Sequence, residues 1–264
     1  MPPPNQPGTP PPPPGGAPPP PPANLTPPPG YMAYSAAPTP AKPLSRVKGL
    51  ATATMILTGI AGLGGVITAI TTPSAVDSAN DFLAGRLSED DFLDDYTAFG
   101  LTQSLQSLGT IATAVLTMIW LYRMAGNVRS FGRATTWAPI WAVFAWILPP
   151  VLIIIPFLMV REVWKASDPS APHDATSWKQ SPDNPLIWVW FVVYGIVPTI
   201  IAAISFESFL GAGFSQEADE IAETLDDFGT LQMVSAGVSV VAAIVWILVV
   251  RQLTARHVEL TNER

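Results

Sequence analysis

Cysteine is absent, histidine occurs only twice, and 12% of the 264 residues are charged. Without cysteine there is no disulfide framework, no thiolate metal site and no cysteine nucleophile. His173 and His257 alone cannot build a multi-histidine zinc or iron centre, and no HExxH or paired CxxC spacing occurs. No metal or other cofactor is expected. A net charge of −7, with no basic stripe interleaved with aromatics, argues against nucleic acid as a partner. The start Met1-Pro2-Pro3-Pro4 has no basic flank followed by an apolar stretch, so it does not read as a cleavable secretory signal. The first hydrophobic block is left as the insertion signal.

What is present is apolar surface. Hydrophobic residues make up 48% of the chain and the mean hydropathy is +0.33, values that describe a membrane protein. The average is lowered by residues 1–43, which hold 20 of the 30 prolines and no charge before Lys42. Runs such as Pro10–Pro14 and Pro18–Pro22 cannot form a packed core and favour extended polyproline II, so residues 1–45 are expected to be a disordered proline-rich tail. The tail reads as a spacer, or as a docking ligand with Tyr31 and Tyr34 as anchors.

Five apolar blocks follow, at 50–72, 103–122, 138–160, 186–206 and 231–250. Each is long enough for a hydrocarbon core of about 30 Å, which takes about 20 helical residues. The distribution of Lys and Arg decides which of them cross, because short cytoplasmic loops retain these residues. Five spans with the N-terminus inside would place six basic residues inside and seven outside. If block 138–160 enters and leaves on one face, twelve lie inside and only Arg86 outside. Pro149 and Pro150 supply the break, since each removes a helical donor and clashes with the preceding turn. The expected architecture is an all-α integral membrane protein with four transmembrane helices over residues 46–255, plus a proline-broken re-entrant or kinked hairpin that starts with a half-helix at 138–148. The alternative is five spans. Residues 256–264 read as a short cytoplasmic C-terminal tail.

The acidic residues follow this topology. Fourteen of the twenty fall in the two outer loops at 73–102 and 207–230. Asp90 and Asp94 share a helical face there and could approach a cation, but the pattern reads as a solvated acidic face. Phe82, Leu83, Phe92, Leu93 and Tyr96 give the opposite face an amphipathic lie along the membrane surface. All nine tryptophans fall in the inner half or at the inner interface, where they read as interfacial anchors. In the first span, Ala61-x-x-x-Gly65 is a small-residue spacing that favours close helix packing within the monomer. None of the four spans carries Asp, Glu, Lys, Arg or His, the usual marks of ion pathways and proton relays.

The stretch Tyr122-Arg123-x-x-x-Asn127-x-Arg129-x-x-Gly132 is followed by Trp137-Ala138-Pro139, Trp146-Ile147-Leu148-Pro149-Pro150, Pro156 and Glu162-x-x-x-Ala166-Ser167-Asp168-Pro169. This pattern resembles the bacterial membrane family catalogued as domain of unknown function 4328, over roughly residues 50–255. The family usually has a single proline, a further apolar residue and an Asn near positions 150–152, where this chain has Pro150 and Val151 and no Asn. The resemblance implies a multi-pass bacterial plasma-membrane protein of actinobacterial type with a proline-rich tail, and it implies no reaction. Arg123, Asn127 and Arg129, at the inner end of the second span, read as interfacial and helix-end residues or as contacts to anionic lipid or a partner. The function expected is that of a non-enzymatic scaffold recruiting a cytoplasmic partner through the tail. The alternative is a small-solute channel or transporter built on the Pro149-Pro150 hairpin.

Overall fold

The computed structural model describes residues 43–146, 153–205 and 217–263. Residues 1–42, which hold most of the proline-rich segment, and the hairpin break at Pro149 and Pro150 lie outside them. Among the described residues the chain is all-α. Its elements are α1 (Lys48–Leu83), α2 (Glu89–Ser130), the short α3 (Trp141–Phe144), α4 (Ile154–Ala166), α5 (Pro185–Trp190), a π-helical turn (Phe191–Ile196), α6 (Val197–Ile204) and α7 (Ala218–Thr261). Four helical stretches are long and apolar enough to cross a membrane: Lys48–Leu83, Glu89–Ser130, Pro185–Ile204 and Ala218–Thr261.

Local chemistry places the helix ends. Ser88 caps α2, its hydroxyl accepting from the Asp91 N–H at 3.2 Å, and Glu89, Asp90 and Asp91 set negative charge against the positive end of the helix. The chain reaches Ser88 through Gly85, whose φ of +70° suits glycine. Asn184 caps α5 by accepting from the Leu186 N–H at 2.9 Å, with Pro185 at the first helical position, where its missing donor costs nothing. α7 ends on Asn262 in the left-handed region and runs through most of the segment expected to be a short C-terminal tail.

α1 lies antiparallel to both α2 and α7, and the closeness of the three helices rests on missing side chains. Gly64 faces the backbone of Gln106 and Gly109 faces Ala61, both across the α1–α2 seam. Gly62 and Gly65 face Ala243 and Val240 of α7. The small-residue stripe of α1 therefore packs within the monomer.

Block 138–160 returns to the face it leaves. The Glu162 carboxylate, on α4, accepts from the backbone N–H of Thr136 at 2.6 Å and of Trp137 at 3.1 Å. The two ends of the block are thus clasped together, as four spans require and five do not. The half-helix expected at 138–148 is shorter than the sequence suggests: within its described part only Trp141–Phe144 is α-helical, after a turn begun at Pro139.

The outer segments correct a second expectation. A 44-residue helix such as α7 measures about 66 Å, roughly twice the hydrocarbon thickness. α1, α2 and α7 continue past their apolar stretches as a three-helix bundle with its own core of Ala75, Ala79, Phe92, Phe99, Ala222 and Leu225. Phe82 stacks on Phe92 with ring centroids 4.9 Å apart. Of the apolar face read as lying on the membrane, Phe92 is buried between helices and Phe82 and Leu93 pack against it, while Leu83 and Tyr96 stay exposed, as do Asp90, Asp91, Asp94 and Asp95. The tryptophans also differ from an interfacial belt. Trp120, Trp190 and Trp246 are buried in the main core, and of the nine only Trp188, at 45%, is exposed.

Candidate functional site

At its inner end α2 buries a stripe of Trp120, Leu121, Met124, Ala125 and Val128, and Asn127 falls within that stripe. A buried amide must be hydrogen-bonded, and Asn127 meets the chain just before α1. Its Oδ1 accepts from the Ser45 N–H and its Nδ2 donates to the Ser45 carbonyl, both at 2.8 Å. Because a backbone N–H can only donate, this pair fixes which way the amide points. Nδ2 therefore also faces Nε2 of His257, at 3.1 Å.

The rest follows from that orientation. Nε2 acts as an acceptor, so the neutral imidazole carries its proton on Nδ1, which donates to Ser167 Oγ at 2.9 Å. His257 is fully buried and held in one tautomer, with both ring nitrogens used. Such a histidine links α2, α4 and α7 and has no free nitrogen for acid–base work.

Arg133 and Asp168 extend the network. The buried Arg133 guanidinium donates to the carbonyls of Ala166, Asp168 and Ala171, putting a cation on the last carbonyl of α4 and on two carbonyls of the turn that follows it. Asp168 accepts from the Ser170 N–H at 2.9 Å, from the Ser170 hydroxyl at 2.6 Å and from the Ser181 hydroxyl at 2.7 Å. Arg256, which lies over the Trp164 ring, approaches its carboxylate at 2.7 Å. Burial works against charge on Asp168, but the Ser170 and Ser181 hydrogen bonds and the Arg256 cation outweigh it, and the carboxyl is held down at about 2.

A second set of contacts gathers on residues 45–48. Val47 has no side-chain cap of its own to offer α1. Glu263 supplies one, its carboxylate accepting from the Val47 N–H at 2.9 and 3.1 Å and from the Lys48 N–H at 3.1 Å. The exposed Arg123 donates to the Arg46 carbonyl at 3.1 Å. Arg129 turns the other way, donating to the Thr135 hydroxyl at 2.7 Å and to its carbonyl at 2.9 Å. Of the three residues singled out in the sequence, Arg123 and Asn127 meet the segment before α1, and Arg129 braces the loop after α2. No contact role for His257, Arg133, Arg256 or Glu263 is legible in the sequence alone. Ser167, Asp168 and Glu162 were visible only as members of a motif. Among the described residues, no group of three or more His, Asp or Glu side chains is placed to hold a metal.

The family model described as Domain of unknown function (DUF4328) matches residues 87–255. The chain belongs to this family. The DUF4328 region begins at residue 87 rather than near residue 50, so α1 lies outside it. It includes Asn127, Arg129, Arg133, Glu162, Ser167 and Asp168. His257 and Glu263, which complete the network, fall just beyond the DUF4328 match. The comparisons with curated proteins and with solved structures give no match.

Proposed function

We propose that this chain is a non-enzymatic plasma-membrane scaffold that fixes the root of its proline-rich N-terminal segment on the inner face and recruits a cytoplasmic protein through that segment. One observation carries the reading. Four consecutive residues, 45–48, have backbone groups held by side chains from elsewhere in the chain: Ser45 by Asn127, Arg46 by Arg123, and Val47 and Lys48 by Glu263. Side chains that grip a backbone at its point of entry to the bundle set where the preceding segment emerges.

Charge supports the orientation. Of the eleven described Lys and Arg residues, ten lie at the end of the bundle that holds residues 45–48, and Arg86 lies at the other. Because basic loops are retained on the cytoplasmic side, this distribution supports reading that end as the inner one. Exposed Arg46, Lys48 and Arg123 then form a basic rim for anionic headgroups, at about 1 kcal/mol per residue near the membrane surface.

Two measurements test this reading. Deleting residues 1–40 is expected to remove specific proteins from those that co-purify with the chain while leaving its melting temperature unchanged, and an unchanged set would reject recruitment. With no native cysteine to interfere, an impermeant thiol reagent added to whole cells should label Ser88→Cys and leave Gln180→Cys untouched. The reverse pattern would invert the topology.

A further inference from the structure

The apolar part of α2 carries a polar stripe. Gln103, Gln106, Thr110, Thr113 and Thr117 recur at alternating steps of three and four, the spacing of one helical face. In a membrane helix such a face belongs inside the bundle, and here it lines two cavities. The inner cavity is about 500 Å³ and has Gln106, Thr110, Thr113 and Thr117 along one side. The outer cavity, about 540 Å³, is lined by Gln103, Ser107, Gln232 and Ser235 among others, and Gln106 borders both.

Three features of the inner cavity point to a ligand. The first is unmet hydrogen bonding: Thr113 Oγ1, Thr117 Oγ1 and Trp146 Nε1 are buried without a partner, and all three residues line this space. Thr117 is 2% exposed. Buried polar groups without partners are uncommon in folded proteins, and each calls for an explanation. The second is the opposite wall, formed by Trp146, Trp190, Tyr194 and Trp246. Trp190 and Tyr194 stack with ring centroids 5.3 Å apart, and Trp190 lies 4.6 Å from Trp246. The third is the π-helical turn Phe191–Ile196, which interrupts the third span where Tyr194 and Gly195 meet the cavity. Such turns often mark functional sites. Gly195 is required there, because a Cβ would come within 2.3 Å of Ile153.

The chemistry of the lining restricts the ligand. No Asp, Glu, Lys, Arg or His among the described residues borders the cavity, so a charged molecule would be buried unpaired. Trp146 Nε1 can only donate, so the ligand must accept. An aromatic wall favours a flat ring, and about 500 Å³ falls within the roughly 300–1,000 Å³ of small-molecule pockets. We infer that the inner cavity is a binding site for an uncharged, ring-bearing molecule whose acceptor oxygens engage Trp146 and the hydroxyls of Thr113 and Thr117. This site stands apart from the anchoring of residues 45–48 and does not depend on it.

The test uses the full chain in lipid nanodiscs, with empty nanodiscs as the blank and calorimetric titration as the readout. 2-Methyl-1,4-naphthoquinone, with two carbonyl acceptors and no donor, is expected to bind at one saturable site. 2-Methylnaphthalene, which has the ring without the acceptors, should bind at least tenfold more weakly, and naphthalene-1-sulfonate should not bind. Ala114→Phe, which fills the cavity, should abolish quinone binding. Trp146→Phe keeps an aromatic ring, smaller than the indole, and removes the donor, so it tests the site even if Ala114→Phe fails to fold, and a fall in affinity of at least roughly fivefold is expected, since one hydrogen bond is lost along with some stacking surface. No uptake beyond empty nanodiscs, equal binding of the quinone and the hydrocarbon, or an unchanged affinity in Trp146→Phe would each overturn the assignment.

Discussion

Gly64→Ala is expected to destabilise the protein by about 2 to 3 kcal/mol, the cost of overpacking a tight interior, whereas Gly59→Ala, five residues earlier on α1, should leave it as stable or slightly more so. The added methyl at position 64 would sit 2.7 Å from the backbone nitrogen of Gln106 and 2.8 Å from its Cα. Backbone cannot swing aside as a long side chain can, so α1 and α2 must part. Gly109 closes the same seam from the other side, with Ala61 at 3.1 Å from where its Cβ would be. At Gly59 nothing lies within 4 Å, and replacing a mid-helix glycine by alanine gains about 0.5–1 kcal/mol in backbone entropy. Denaturant titration of the two variants in the same micelle decides the matter, and equal stabilities would show that the α1–α2 seam is looser than described.

Asn127→Leu should cost about 2 to 4 kcal/mol, since it leaves several groups unpaired at about 1–3 kcal/mol for each that stays buried. His257 Nε2 loses its only donor within a fully buried site, and the Ser45 N–H and carbonyl are both released. The Ser45 groups lie near the surface and can turn to water, which keeps the total below the sum of three buried losses. Hydrogen exchange should separate this from a general loosening: amides of residues 43–48 are expected to exchange faster while those of the outer bundle keep their protection. Arg123→Ala provides the comparison, because an exposed side chain with a single bond to Arg46 should change stability by less than about 0.5 kcal/mol. If the two substitutions proved equally mild, Asn127 would not anchor the segment before α1.

The parts of this fold that were legible in the sequence are those written in short-range pattern or in bulk charge. The four spans, the return of block 138–160 to its starting face and the packing of Ala61 and Gly65 within the monomer all follow from hydropathy, Lys and Arg placement, and residue size. Where α1, α2 and α7 go beyond the membrane was not legible in the same way. An amphipathic helix carries one apolar face whether it meets lipid or another helix, so Phe82 and Phe92 gave no sign of stacking on each other. The inner network was hidden for a different reason. Asn127 and His257 stand 130 residues apart and Val47 and Glu263 stand 216 apart, and no local spacing encodes such pairs. Only the presence of polar residues in a family motif hints at Ser167 and Asp168, and two histidines with no metal-ligand spacing say nothing of a structural role for His257. The π-helical turn leaves no mark in composition, because Phe191–Ile196 reads as an ordinary apolar stretch.

The grip of Glu263 on the start of α1 also orders events in time. Of the described helices α1 is made before the others, and the carboxylate that caps it is made 216 residues later, a delay of roughly 10 to 40 s at about 5–20 residues per second. Through that interval the N–H groups of Val47 and Lys48 face water or headgroups. They are closed off only when α7 has docked against α1 and carried its far end to the same face, so the earliest helix of the bundle is the last to be finished.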